Sequence, residues 1–314
     1  MGTFAFNSVD QPARGLVANQ LPASARVGRV RLAVSDLEQS VGFYARVIGL
    51  AVLERTATAE GNPLARLGVT PGAERVLLEL EEQAAVHPIR ERSRLGLYHT
   101  AFLLPRRLDL ALFVAHLRSL GVAFGAGDHG VSEAIYLVDP DGLEVEVYAD
   151  RPRAVWPYGR ERLRMGTEAV RFDELAGIAA VSGNRWRGAP AETRVGHVHF
   201  YVGDLDQAAA FYCAGLGMDG MVQMPSALFV SAGGYHHHVG LNVWATGAPA
   251  ASAEDARLLY WELSLPDLAE VHRVADRMVA SGAQESACVD GTPAFVDSSG
   301  IVVRLVNTAE ASLD

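Results

Sequence analysis

Val34-Ser35-Asp36-Leu37, then Phe43-Tyr44, then Gly49-Leu50, returns later in the chain as Val202-Gly203-Asp204-Leu205, Phe211-Tyr212 and Gly217-Met218. The offset is a constant 168 residues (34 to 202, 43 to 211, 49 to 217) with no gap. Such self-similarity decides the fold, because each copy is one supersecondary unit that cannot bury its apolar face alone. A weaker second pair follows. Leu104-Pro105 and Gly121 recur as Leu265-Pro266 and Gly282, and Asp139-Pro140-Asp141-Gly142 is answered by Asp297-Ser298-Ser299-Gly300.

Every copy reads in the same order. An alternating strand comes first (Val30 to Val34, His99 to Leu103, His197 to Val202, Tyr260 to Leu265). An amphipathic helix follows, with apolar residues at three- and four-residue spacing, such as Leu37, Val41, Tyr44 and Ile48. Short strands bounded by turns complete the unit. In Asp139-Pro140-Asp141-Gly142, Pro presets φ and Gly takes the positive φ needed before Leu143 to Tyr148. The expectation is an α+β fold of four βαβββ modules, at about residues 27–82, 95–150, 195–245 and 258–306. One such module cannot close a sheet, so modules pair into curved, partly open mixed sheets with concave interiors. The chain divides into an N-terminal segment (1–26), a first pair of modules (27–150), a linker (151–193) and a second pair (194–310). The linker is too long for a tight connection and is read as holding one helix near Phe172 to Val181.

Composition narrows the partner. With 49% hydrophobic and 20% charged residues, the 314-residue chain is globular in type. A net charge of −10 disfavours nucleic acid and anionic membrane. Arg90, Arg92 and Arg94 read as a solvated loop. There is no run of eighteen uncharged apolar residues, and Met1 to Ala25 lacks the pattern of a secretion signal. Gly2 begins a myristoylation-like string, but Phe6 stands where Ser or Thr is wanted. The two cysteines, Cys213 and Cys288, are too few for a disulfide framework and suit a reducing, cytoplasmic setting. The partner is therefore a small molecule.

A concave sheet presents every second side chain of a strand inward. His99 and His197 open the first strands of modules two and three, and Glu146 lies on the last strand of module two. Two imidazoles and one carboxylate on one face form the donor set of non-haem Fe(II) oxygenases. Their repeat counterparts, Arg29, Tyr260 and Arg304, cannot form such a set. This predicts that module two pairs with module three across the linker, within one chain or between two chains, and leaves modules one and four to pair with each other. Pairing in sequence order would substitute Glu79 for His197 and bring Arg29 to the metal, a poor electrostatic choice.

The strings Gly196-His197-Val198-His199, Asp-Leu, Phe-Tyr and Asp-Pro-Asp-Gly resemble the vicinal oxygen chelate superfamily over nearly the whole chain. Two further strings resemble its type I extradiol catechol dioxygenases. One is His236-His237-His238 before Val239-Gly240-Leu241-Asn242; the other is His129-Gly130-Val131, then Ile135-Tyr136, with Glu146 ten residues after Tyr136. The resemblance implies a glyoxalase-like fold with His99, His197 and Glu146 as ligands of Fe(II), Mn(II) being the alternative ion. It also implies His238 as acid–base catalyst, Tyr136 as donor of a hydrogen bond to a substrate oxygen, and His129 as a second such donor or a gate at the entrance. An aromatic diol and O2 would be the reactants, the diol opening to a muconic semialdehyde-type product, and a homo-oligomer is expected. Two departures stand out: the site lies on the central two modules rather than the C-terminal half, and the interval from His129 to Tyr136 is shorter than usual. By strand alternation His237 should point opposite to His238.

Blander readings remain open beside these. His199 either lines the pocket or is surface polarity, Tyr136 could fill core, His87, His116 and His272 read as inert, and Cys213 as a small hydrophobe. Rival functions are a glyoxalase-like isomerase, which typically needs a fourth ligand where Asn242 stands, and a metal-free protein that binds an aromatic compound.

Overall fold

The computed structural model describes residues 21–70, 75–159, 162–287 and 291–308. Most of the expected N-terminal segment, with Gly2 and Phe6, and also Cys288, lie outside the described residues. Four long strands, Arg26–Val34, Gly96–Leu104, Arg194–Tyr201 and Arg257–Leu265, open the four modules. Each leads into a helix: Leu37–Phe43, Arg107–Leu120, Leu205–Ala209 and Leu268–Ala280. The repeated Asp is the N-cap of its helix, Asp36 accepting from the Gln39 amide and Asp204 from that of Gln207. The repeated Tyr is also explained. Tyr44 donates to the Asp139 carboxylate and Tyr212 to that of Asp297, each at 3.1 Å. Each turn carboxylate thereby ties one module to the next in sequence.

The sheets join the modules differently. One eight-stranded sheet runs Asp219–Met224, Ala227–Ser231, Val239–Asn242, Arg194–Tyr201, Gly96–Leu104, Glu144–Asp150, Ser132–Val138, Gly125–Asp128, uniting modules three and two. The other takes its strands from modules four and one, with Arg257–Leu265 beside Arg26–Val34 at its centre. The predicted crossing is thus made within one chain. Both central pairs are antiparallel, and each opening strand is parallel to the last strand of its own module.

Alternation along the central strands assigns two faces. Phe102, Leu104, Val198 and Phe200 enter the main core, which also holds Leu32 and Trp261 of the other sheet, and the Phe200 and Trp261 rings lie 6.2 Å apart. His99, Ala101, His197 and His199 sit on the opposite, concave face. The linker helix, Phe172–Ser182, matches the expectation and packs on the module-two helix. No helix among the described residues is long and apolar enough to cross a membrane.

Candidate metal centre

Register brings the donors together. In the antiparallel pair at the sheet centre His197 stands opposite Ala101, and in the parallel pair Ala101 stands beside Glu146. His99 lies two residues before Ala101 on the same face. Three donor-bearing side chains therefore surround a fully buried methyl group. Their Nε2, Nε2 and Oε2 atoms are 3.1 Å apart for His99–Glu146 and 3.3 Å for both His99–His197 and His197–Glu146.

That triangle fits a first-row metal. Donors about 2.1 Å from one ion lie roughly 3.0 Å apart at octahedral angles and roughly 3.4 Å apart at tetrahedral ones. Protons alone satisfy it poorly. If both imidazoles donate to Glu146, two N–H groups face each other at 3.3 Å. Among the described residues neither Nδ1 finds a partner, so packing holds the rings: Tyr98 beside His99, and Tyr148 and His237 beside His197. Burial would raise the Glu146 carboxyl, but His197 and His99 more than offset it and hold it well below the usual range. Burial brings His197 down to about 4, against the pull of Glu146, so the ring is neutral and its lone pair free for a metal. Gly196 allows this packing, since a Cβ there would lie 1.9 Å from the Tyr148 hydroxyl.

The triad lies in the wall of a cavity of about 240 Å³, lined also by Tyr98, Phe229, Trp244 and Met224. Tyr136 and His129 share it and hydrogen-bond at 2.7 Å. The His129 Nδ1–H donates to the Gly166 carbonyl at 2.8 Å, so Nε2 accepts from the Tyr136 hydroxyl. The linker thus forms part of the site, with Met165, Gly166 and Thr167 in the wall, a role its sequence did not signal. His199 lines the cavity and accepts from the Asn242 amide at 3.0 Å.

Fold and donor geometry together invite comparison with known proteins. The family model of the glyoxalase/bleomycin resistance protein/dioxygenase superfamily matches residues 26–147 and 194–290. The chain belongs to that superfamily. It is the vicinal oxygen chelate superfamily that the repeat motifs resemble. The catechol-2,3-dioxygenase of Bacillus subtilis (strain 168) is 44% identical over 261 residues, covering 82% of this chain and 88% of that protein. Among solved structures, glyoxalase I from Zea mays superposes with a TM-score of 0.56 at 18% identity, covering 91% of this chain and 94% of its own. A Bacillus subtilis strain 168 structure, provisionally described as a dioxygenase, gives 0.63 at 14% identity, with 90% and 84% covered. These last two likenesses speak to the fold alone.

One expectation for this superfamily member is corrected. His238 does not face the cavity. Its Nδ1 accepts the Ala232 amide at 3.2 Å and meets Ser231 Oγ at 2.9 Å on the other side of the strand. His237 faces the cavity instead, its ring 4.1 Å from that of His197. A hydrogen-bond chain sets its tautomer. Asp150 accepts from His236 Nε2–H at 2.9 Å, so His236 Nδ1 accepts from His237 Nδ1–H at 2.8 Å. His237 Nε2 is left as a lone pair.

In the other sheet the equivalent positions hold ion pairs. Arg29 meets Glu262 at 2.7 Å and Glu79 at 3.3 Å, Tyr260 donates to Glu79 at 2.8 Å, and Arg304 lies over the Tyr260 ring. The superfamily's repeat thus carries a donor set in one sheet and a salt-bridge cluster in the other. His116 and Cys213 match their bland readings, the histidine bonding the Arg46 carbonyl and the cysteine packing in the core.

Proposed function

We propose that this chain is an extradiol dioxygenase that opens a catechol-type ring with O2 at an iron(II) held by His99, His197 and Glu146. One observation carries the reading. The three donor atoms converge in a cavity into which a neutral imidazole, that of His237, presents a bare nitrogen. The 44% identity to a catechol-2,3-dioxygenase supports it. Bound there, the iron would supply Lewis acidity toward vicinal oxygens and redox chemistry toward O2, with donors on one side and coordination positions open on the other.

The residues supply the rest. His237 Nε2 accepts a proton from a substrate hydroxyl, and the same ring returns it. Burial, with the neighbouring His197 and His236, holds this imidazole well below its usual range, which keeps it in the neutral form that a base requires. The Tyr136 hydrogen is committed to His129, so its oxygen offers lone pairs to a substrate hydroxyl. In this reading Tyr136 accepts from the substrate, where the family resemblance implies a donor. Tyr98, Phe229 and Trp244 give the ring-sized space an aromatic wall. Asn242 is held by His199 and by the Trp244 amide, 2.9 Å from its Oδ1, so it is engaged within the wall and does not complete a four-ligand isomerase site.

Anaerobic reconstitution with Fe(II), then oxygen uptake with catechol, tests the reading. About one iron per chain and one O2 consumed per ring-opened product are expected, and His197→Ala should lose most of the metal. Iron-loaded protein that isomerises a hemithioacetal and takes up no O2 would move the assignment to glyoxalase chemistry. A preference for Mn(II) over Fe(II) in the same assay would change the ion and keep the reaction.

A further inference from the structure

A second cavity, of about 200 Å³, lies where Gly196 and His238 meet the start of the first strand. Ser24, Arg26, Arg153, Arg194 and Tyr235 complete its polar lining, and it shares no residue with the metal cavity. Its charge is one-sided. Among the described residues no carboxylate pairs with Arg26 or Arg194, and Arg153 reaches only the Gly233 carbonyl at 3.3 Å and the Trp156 ring. Asp150, which the Tyr235 hydroxyl reaches, is also engaged by His236. Three unmatched guanidiniums in a chain of net charge −10 are out of keeping with the rest of the molecule. The adjacent Arg75 registers the field: burial first, then Arg194 and Arg26, pull its guanidinium down, opposed by Glu192.

His238 adds a neutral donor. The ring is only 9% exposed, and its Nδ1 is committed as an acceptor of the Ala232 amide, so its proton sits on Nε2. That N–H has no partner among the described residues. Guanidinium forks and an oriented imidazole N–H are the donors that oxyanions are recognised by.

We propose that this cavity is an oxyanion site that takes the phosphate or carboxylate group of a small ligand. It stands independently of the dioxygenase reading. The site is joined through the backbone to the metal cavity, since Gly196 precedes His197 and His238 follows His237.

Calorimetric titration of the metal-loaded protein at low ionic strength, with inorganic phosphate in one arm and succinate in the other, tests it. Saturable binding to one site per chain is expected in at least one arm, weakening as salt is added. Whichever arm binds names the oxyanion. Arg26→Gln and Arg194→Gln should each weaken it about five- to tenfold, the range for charge-assisted bonds to partly exposed groups. Both positions are exposed, so the variants should fold, and circular dichroism checks that. His197→Ala should leave the binding in place. No saturable heat in either arm, or full binding in Arg194→Gln, overturns the proposal. Binding lost in His197→Ala yet kept in Arg194→Gln would place the anion on the metal and overturn it as well.

Discussion

One position of chain separates His237 from His238, and it moves an imidazole from the metal cavity to the far side of the strand. Their opposite orientations were readable from the sequence, but which of them faced inward was not. The strand begins only at Val239, so the histidine triplet lies in a loop where period-two reasoning has no strand to act on. What fixes the face is the chain from Asp150 through His236, two residues whose part no motif announced. His237→Gln should therefore keep its iron while kcat falls by about a hundredfold or more, the scale of a lost acid–base group. His238→Gln should lower kcat far less. Stopped-flow turnover beside metal analysis checks both, and the reverse ranking would restore His238 to the role first expected of it.

Elements place these residues by register more than by propensity. His99, His197 and Glu146 were legible as three good ligand types on inward-facing positions. Ala101, which lies between them, was not, because a small residue in a strand carries no signal until its cross-strand neighbours are known. Ala101→Leu would push three methylene-sized groups into the centre of the donor triangle. Overpacking of this kind costs about 1–3 kcal/mol, so the expected outcome is a folded protein of lowered Tm that binds iron poorly. Calorimetry with metal analysis would show it, and full iron occupancy in that variant would mean the donors can splay apart. The helices were legible from their apolar spacing, but the capping by Asp36 and Asp204 appears only in the structure. The linker was legible as one helix and no more, since Met165 to Thr167 become cavity wall only through His129 and the Gly166 carbonyl.

At the scale of the molecule, charge is sorted between the two sheets. One concave face holds imidazoles and a single carboxylate, with no Lys or Arg lining its cavity among the described residues. Carboxylated catechols should accordingly turn over much more slowly than catechol or alkylcatechols, a ratio of kcat/KM values that oxygen uptake measures directly. The other face holds Arg29 between Glu262 and Glu79, all buried. Arg29→Met would leave Glu262 buried without its guanidinium, at a cost of about 3–5 kcal/mol. Chemical denaturation should show this as a lower midpoint, while the iron content of the folded protein stays near that of the parent. The exchange of modules was legible from chemistry: Arg29, Tyr260 and Arg304 exclude the sequential pairing on sequence alone.

That exchange also sets an order in time. As the chain leaves the ribosome, the strands Arg26–Val34 and Gly96–Leu104 emerge early, each with one edge unpaired, for their partners Arg257–Leu265 and Arg194–Tyr201 are still to be made. Waiting edges of this kind are open to pairing with another nascent chain, and contacts so distant in sequence make folding slow. His99 and Glu146 meet first and can offer an ion only two donors. The third arrives after the whole linker has been synthesised, so a fully held metal marks a chain translated past module three and already crossed over.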